Sequence, residues 1–170
     1  MKPFEEAKAI LFQSKYALER TVPDFIQNRL NIQTFRDEKH KEDFWILNQE
    51  AGKTIIAEVK SAIKGFKKSM VYDLFNHRDE NNLDESFPAL LVANCNLQAG
   101  AWEDKDRIID KQDYQVAAQN NILILRVEDL VRLWESMRNG IHSQKEIYEL
   151  LISENGWLEV TQDLNIRIRK

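Results

Sequence analysis

Two short runs, Pro88-Ala89-Leu90-Leu91-Val92-Ala93 and Ile122-Leu123-Ile124-Leu125, are apolar at nearly every position. A strand with one wet face alternates apolar and polar residues, so runs without alternation read as strands covered on both faces. The cover is at hand, because helical spacing over about residues 67–77 and 112–119 precedes them. Upstream, Phe44-Trp45-Ile46-Leu47 and Thr54-Ile55-Ile56-Ala57-Glu58-Val59 are rich in β-branched and aromatic residues, and residues 48–53 with Gly52 join them as a hairpin. Antiparallel strands followed by helix, strand, helix, strand predict an α/β sandwich with a mixed central sheet.

The flanks are less regular. Phe4, Ala7, Ile10, Leu11 and Leu18 fall near one helical stripe over residues 4–20, after which Thr21-Val22-Pro23 is expected to interrupt. Pro23 then starts a second helical piece to about Leu30. Residues 32–35 suggest a short strand before a charged turn over 36–42. Behind the core, helices are expected at about 128–138 and 143–152, stopped by Gly140 and Gly156, with short strands near 157–160 and 164–168.

At 170 residues the chain reads as one domain, 1–170. No apolar run approaches the roughly 18 residues of a membrane span, and Met1-Lys2-Pro3-Phe4-Glu5-Glu6 lacks a signal-peptide core, so a soluble, cytoplasmic protein without membrane attachment is expected. The lone Cys95 reads as a small buried hydrophobe, which leaves disulfide and zinc chemistry without support. A net charge of −4 argues against coating nucleic acid by bulk electrostatics. The sign is uneven, however: Lys60, Lys64, Lys67 and Lys68 fall in a stretch without an acid, and these lysines, Lys64, Lys67 and Lys68 above all, are the candidate contacts to nucleic-acid phosphates.

Within the hairpin, alternation puts Glu58 and Lys60 on one face of their strand and Val59 on the other. If Leu47 pairs with Thr54, Asp43 stands opposite Glu58, and opposed residues share a face. A slip of one residue would reverse that result. Two opposed carboxylates repel unless a cation lies between them. Mg²⁺ suits such a pair, since it takes few carboxylates and completes its octahedron with water and substrate phosphate. Lys60 would then steady charge on the reacting phosphate or hold the attacking water.

The residues Glu42-Asp43-Phe44-Trp45-Ile46 and Ile55-Ile56-Ala57-Glu58-Val59-Lys60-Ser61 resemble the PD-(D/E)xK nuclease superfamily, the restriction-endonuclease-like fold, and most closely its Mrr-like domains. The later Ala89-Leu90-Leu91-Val92-Ala93-Asn94, Arg107, and Ile122-Leu123-Ile124-Leu125 leading to Val127-Glu128-Asp129-Leu130 are similar to that family's second half. The likeness covers about residues 17–133, with 134–170 as a helical and strand extension. It implies an α-β-β-β-α-β core and a DNA endonuclease using Mg²⁺, with Mn²⁺ as substitute, in a restriction or phage-defence setting. Asp43, Glu58, the Val59 carbonyl and Glu19 become metal ligands, and Asp43, Glu58 and Lys60 the catalytic set. Many such nucleases work as pairs, so a homodimer through the tail helices, or a partner protein of a defence system, is implied as well. An inactive member that binds nucleic acid or a partner protein is the alternative.

The triplet alone is weak, because Glu6-Ala7-Lys8, Asp37-Glu38-Lys39 and Glu103-Asp104-Lys105 also occur. Glu58-Val59-Lys60 alone ends an apolar strand with an acid at hairpin distance. Two departures stand out: Glu42 replaces the family's proline, and no glutamine follows on the next helix, where Lys68, Tyr72 and Asp73 occupy exposed turns. His40 and His77 read as solvent-exposed, His142 as a helix-start residue, and Trp45 as core beside the site. Trp102 reads as packed under its loop, and the Arg167-Ile168-Arg169-Lys170 ending as solvated charge.

Overall fold

The computed structural model describes residues 7–37, 43–99 and 105–170. The start of the first predicted helix at Phe4, the turn residues His40 and Glu42, and Trp102 lie outside them. Strands β1 (Thr34–Phe35), β2 (Phe44–Asn48), β3 (Gly52–Ser61), β4 (Ala89–Asn94), β5 (Ile122–Arg126), β6 (Gly156–Val160) and β7 (Ile166–Arg169) form one sheet in chain order. Pairing is antiparallel from β1 to β3, parallel from β3 to β6, and antiparallel again for β7. Five helices are described: α1 (Lys15–Arg29), α2 (Ser69–Glu80), α3 (Lys111–Gln119), α4 (Val127–Arg138) and α5 (Gln144–Ser153). The α/β class is therefore what the apolar runs demanded, and no described helix is long and apolar enough to cross a membrane.

Both faces of the central strands are buried. Ala57, Val59, Leu90, Val92, Leu123 and Leu125 meet α1, α4 and α5 through Leu18, Val22, Ile26, Leu130, Trp134 and Ile147. Trp45, Ile56, Leu91 and Ile124 point the other way, to Met70, Val71 and Leu74 of α2 and Ala117 of α3. This period-two division is why the runs lack alternation.

Three expectations change. First, α1 runs unbroken through Thr21-Val22-Pro23, with Pro23 inside it. A mid-helix proline costs about 3 kcal/mol, but Leu18, Val22, Phe25 and Ile26 are all buried on this helix, at roughly 1.5–3 kcal/mol each. The break falls earlier, at Gln13 and Ser14, where a short 3-10 turn over Ala9–Phe12 ends. Second, the segment after α4 is no appendage: β6 and β7 complete the sheet, and α5 covers its first face. The apolar stripes of the tail helices pack into the first core through Leu130, Leu133, Trp134, Ile147 and Leu151. Third, Leu47 pairs with Lys53 instead of Thr54. A bulge between Ile46 and Leu47 leaves Thr54 over, while Ile46↔Ile55, Trp45↔Ile56 and Phe44↔Ala57 keep the expected register as far as Phe44, the residue after Asp43. The Thr54 hydroxyl donates to the Ile46 carbonyl at 3.1 Å, which satisfies the bulge locally.

Two polar side chains lock these layers. Buried Asn94, at the end of β4, donates to the carbonyls of Leu11 (3.1 Å) and Gln13 (2.7 Å) and so ties the N-terminal segment to the sheet. Asp129, wholly buried on α4, accepts from Arg126 Nε (2.8 Å) and Nη2 (2.7 Å), from Trp157 Nε1 (3.0 Å) and from the Val160 amide (2.9 Å). It binds β5 to β6 through α4. Removing one partner of such a group strands the other charge and several donors, so Asp129→Ala is expected to cost about 3–5 kcal/mol, read as a lowered urea midpoint at unchanged slope.

Candidate active site

The residues predicted for the site lie where β2 begins and β3 approaches its end. The Asp43 amide donates to the Ala57 carbonyl at 3.2 Å, and its carboxylate accepts from the Val59 amide at 2.6 Å. Ala57 and Val59 therefore turn the same edge of β3 toward Asp43. Within a strand a residue's N–H and C=O point the same way, so the Val59 carbonyl faces that edge too. Asp43 takes over as acceptor at the point where the β2 ladder stops.

Glu58 and Lys60 share the face covered by α2, and Lys60 Nζ lies 3.0 Å from Glu58 Oε1. Glu58 is 5% exposed, with Ile56 two residues earlier in the core. Helix α2 supplies two partners four residues apart, one turn along the same side. Asp73 holds Lys60 Nζ at 2.7 Å, and His77 Nε2 approaches Glu58 Oε2 to 2.8 Å. That second contact is close but poorly aligned, because Glu58 Oε2 is buried without a well-formed hydrogen bond. The contact is an ion pair only when the ring carries a second proton.

His77 corrects the sequence expectation: it is 7% exposed, not solvated. Asp73 was placed on an exposed turn, which holds, yet its role as the lysine's partner was missed. The signal was faint, an acid and a histidine at i and i+4 on the helix after the lysine, and nothing local says which face that helix buries.

The electrostatics are uneven. Burial, then the charge of Glu58, pushes the Asp43 carboxyl up from its ordinary 3.8 to about 7, with Glu19 adding to the rise and the Val59 amide and Lys60 opposing it. Burial pulls Lys60 down, but the hydrogen bond to Asp73 and the charge of Glu58 more than offset this, so its net shift is upward and it stays an ammonium. Glu19, half-buried on α1, lines a hollow with Lys15, Val59, Lys60 and Ser61. The Lys15 amide donates to Ser61 Oγ at 3.2 Å and fixes that end of α1 beside β3.

Lys64 and Lys67 are exposed and line a second hollow with Lys60 and Asp73. Lys68 is exposed but absent from that lining, and its charge acts instead on Asp113 of α3. Among the remaining candidates, Trp45 is core, in edge contact with Phe87. Cys95 is half-buried against the same core, its thiol pushed up to about 12 by burial. His142 sits 3.2 Å from Ser136 Oγ beside the α5 cap. The terminal charges are engaged within the fold, Arg169 with Glu159 and Lys170 with Glu154. The decoy lysine Lys105 is a buried structural ion, 2.9 Å from Glu128.

No protein-family model, curated protein or solved structure matches this chain. The chemistry must accordingly be argued from the site.

A carboxyl whose pKa is higher folded than unfolded takes up protons on folding. Its contribution therefore falls as pH climbs from about 4 to about 7 and stays level above that. Asp43→Asn should abolish this loss, stabilising the metal-free protein at neutral pH by on the order of 1–2 kcal/mol once partial exposure is discounted. Thermal melts in EDTA across that pH range check it. An unchanged pH profile in the variant would mean that Asp43 is not the strained group.

Proposed function

We propose that this protein is a metal-dependent nuclease hydrolysing phosphodiester bonds of DNA, with Asp43, Glu58 and Lys60 as its reacting set. One observation carries the reading: two carboxyls are held together in a poorly solvated place, one of them driven to about 7, beside a lysine that remains cationic. Groups strained this way at the end of a strand are a mark of functional sites, since a fold gains nothing from the repulsion.

The residues fit Mg²⁺ or Mn²⁺. Asp43, Glu58 and the Val59 carbonyl would hold the ion, with Glu19 near enough to influence Asp43. Among the described residues no group of three or more His, Cys, Asp or Glu gathers around one point. Mg²⁺ does not need one, because one or two carboxylates suffice when water and phosphate complete the octahedron. The poorly satisfied Glu58 Oε2 supplies an oxygen that a cation would relieve. When bound, the ion would polarise the scissile phosphate and lower the pKa of a water.

The remaining work falls to the chain itself. Lys60, as an ammonium, stabilises charge building on the phosphoryl oxygens and orients the attacking water; it is too strongly protonated to act as a base. In the step, a water oxygen bonds to phosphorus and gives up a proton to solvent, the bond from phosphorus to the leaving sugar oxygen breaks, and that oxygen takes a proton from solvent in its place. His77 and Asp73 position Glu58 and Lys60.

A second reading has its own support. Lys60 is already held by both Asp73 and Glu58, and His77 lies against the other oxygen of Glu58, so the cluster can satisfy itself without a cation. That suits a protein binding nucleic acid or a partner protein through the same fold without cutting.

Plasmid DNA incubated with Mg²⁺, Mn²⁺ or EDTA separates the two. Metal-dependent cutting should fall by about 10²–10³ or more in each of Asp43→Ala, Glu58→Ala and Lys60→Ala. Cutting that survives all three would sink the nuclease assignment, and DNA binding without cutting would favour the second reading.

A further inference from the structure

Two hollows flank Lys60 and share it, with Ser61, as lining. The first, about 370 Å³, is bounded by Lys15, Tyr16 and Glu19; the second, about 720 Å³, by Ile63, Lys64 and Lys67. Each presents a large apolar group to water: Tyr16 is 79% exposed and Ile63 58%. Neither side chain packs into either core cluster. Among the described residues, Lys15, Lys64 and Lys67 make no ion pair, so their charges are uncommitted. Of the acids lining the hollows, Asp73 is bound to Lys60, and Glu19 is near enough to Asp43 for its charge to act there.

We infer that the two hollows form one groove for a single, unpaired DNA strand, which crosses Lys60 with its backbone on Lys15, Lys64 and Lys67 and a base stacked on Tyr16. The inference rests on the nuclease reading for the choice of DNA. It goes further by naming the form of the substrate. An exposed ring can stack only on a base whose face is bare, and in a duplex those faces are covered by neighbouring pairs. Stacking platforms beside a narrow cationic track are the usual means of holding single strands. The charge agrees as well: a chain of net charge −4 offers this local strip rather than the broad basic surface a duplex calls for.

The test is fluorescence anisotropy in EDTA, where no cutting intervenes, with the full chain and a labelled oligothymidylate or a duplex of equal length. The strand should bind more tightly than the duplex. Tyr16→Ala should weaken strand binding at least about fivefold, while Tyr16→Phe, which keeps the ring, should not. Three lysine contacts to a single strand predict a slope of log affinity against log salt near −2, roughly, and the double variant Lys64→Ala/Lys67→Ala should flatten it. Equal affinity for the duplex, or strand binding indifferent to Tyr16, overturns the inference. Asp43-dependent plasmid cutting by a protein that ignores the oligothymidylate would remove this inference and leave the nuclease reading standing. Tyr16-dependent strand binding without any cutting would uphold the groove and remove the nuclease reading.

Discussion

Burial of β3 on both faces is the constraint on which the rest of this structure depends. Its neighbours in the sheet are β2 and β4, and helices cover it above and below, so every residue from Ile55 to Val59 is removed from water. A glutamate in that stretch cannot reach solvent by turning its side chain. Glu58 therefore draws its compensation from the protein, and helix α2 delivers it through His77 and, by way of Lys60, Asp73. The same burial gives the repulsion between Glu58 and Asp43 its force, because few water dipoles intervene. A pair of carboxylates on an exposed hairpin would carry little meaning.

The protein contains a second buried charge cluster, and the contrast is instructive. Lys105, Glu128, Arg126, Asp129, Asp106 and Arg132 interlock between the parallel strands and α4, each within about 3 Å of an opposite charge. There the signs balance, and Asp129 is saturated with donors from three directions. Such a network specifies how β5, α4 and β6 fit together. At Asp43 and Glu58 two like charges meet with poorer hydrogen bonding, an arrangement that costs stability. A balanced network belongs to the fold; an unbalanced one invites a ligand.

Of the residues the sequence singled out, the fold brings Asp43 to the Val59 amide and Lys60 to Glu58, with Glu58 and Glu19 close enough to act on Asp43 by their charge. It also alters the picture around them. Where a glutamine was looked for on the helix after the lysine, α2 offers Asp73 and His77, so the lysine is held by an acid and the glutamate by an imidazole. This makes the cluster capable of self-neutralisation and gives the non-cutting reading its footing.

The sequence by itself determined what depends on short-range period. It marked β4 and β5 as strands buried on two faces, since Leu90 to Ala93 and Ile122 to Leu125 offer no polar side. It also set Glu58 and Lys60 on one face, two residues being the repeat of a strand. The hairpin register from Phe44 to Ile46 was legible too, although the pairing used to infer it, Leu47 with Thr54, gives way to a bulge. The bulge sits at the turn and leaves the register beyond Ile46 intact. Tertiary structure alone decided the remainder, because each outcome turns on contacts between distant residues. Pro23 stays inside α1 because the sheet buries that helix's stripe on both sides of it. His77 is buried because α2 lies over β3, and β6 and β7 join the sheet because Asp129 and Trp157 fasten them there. Periodicity says which side of an element is apolar, but only the packed chain says what covers that side, and the candidate site is made at such a covering.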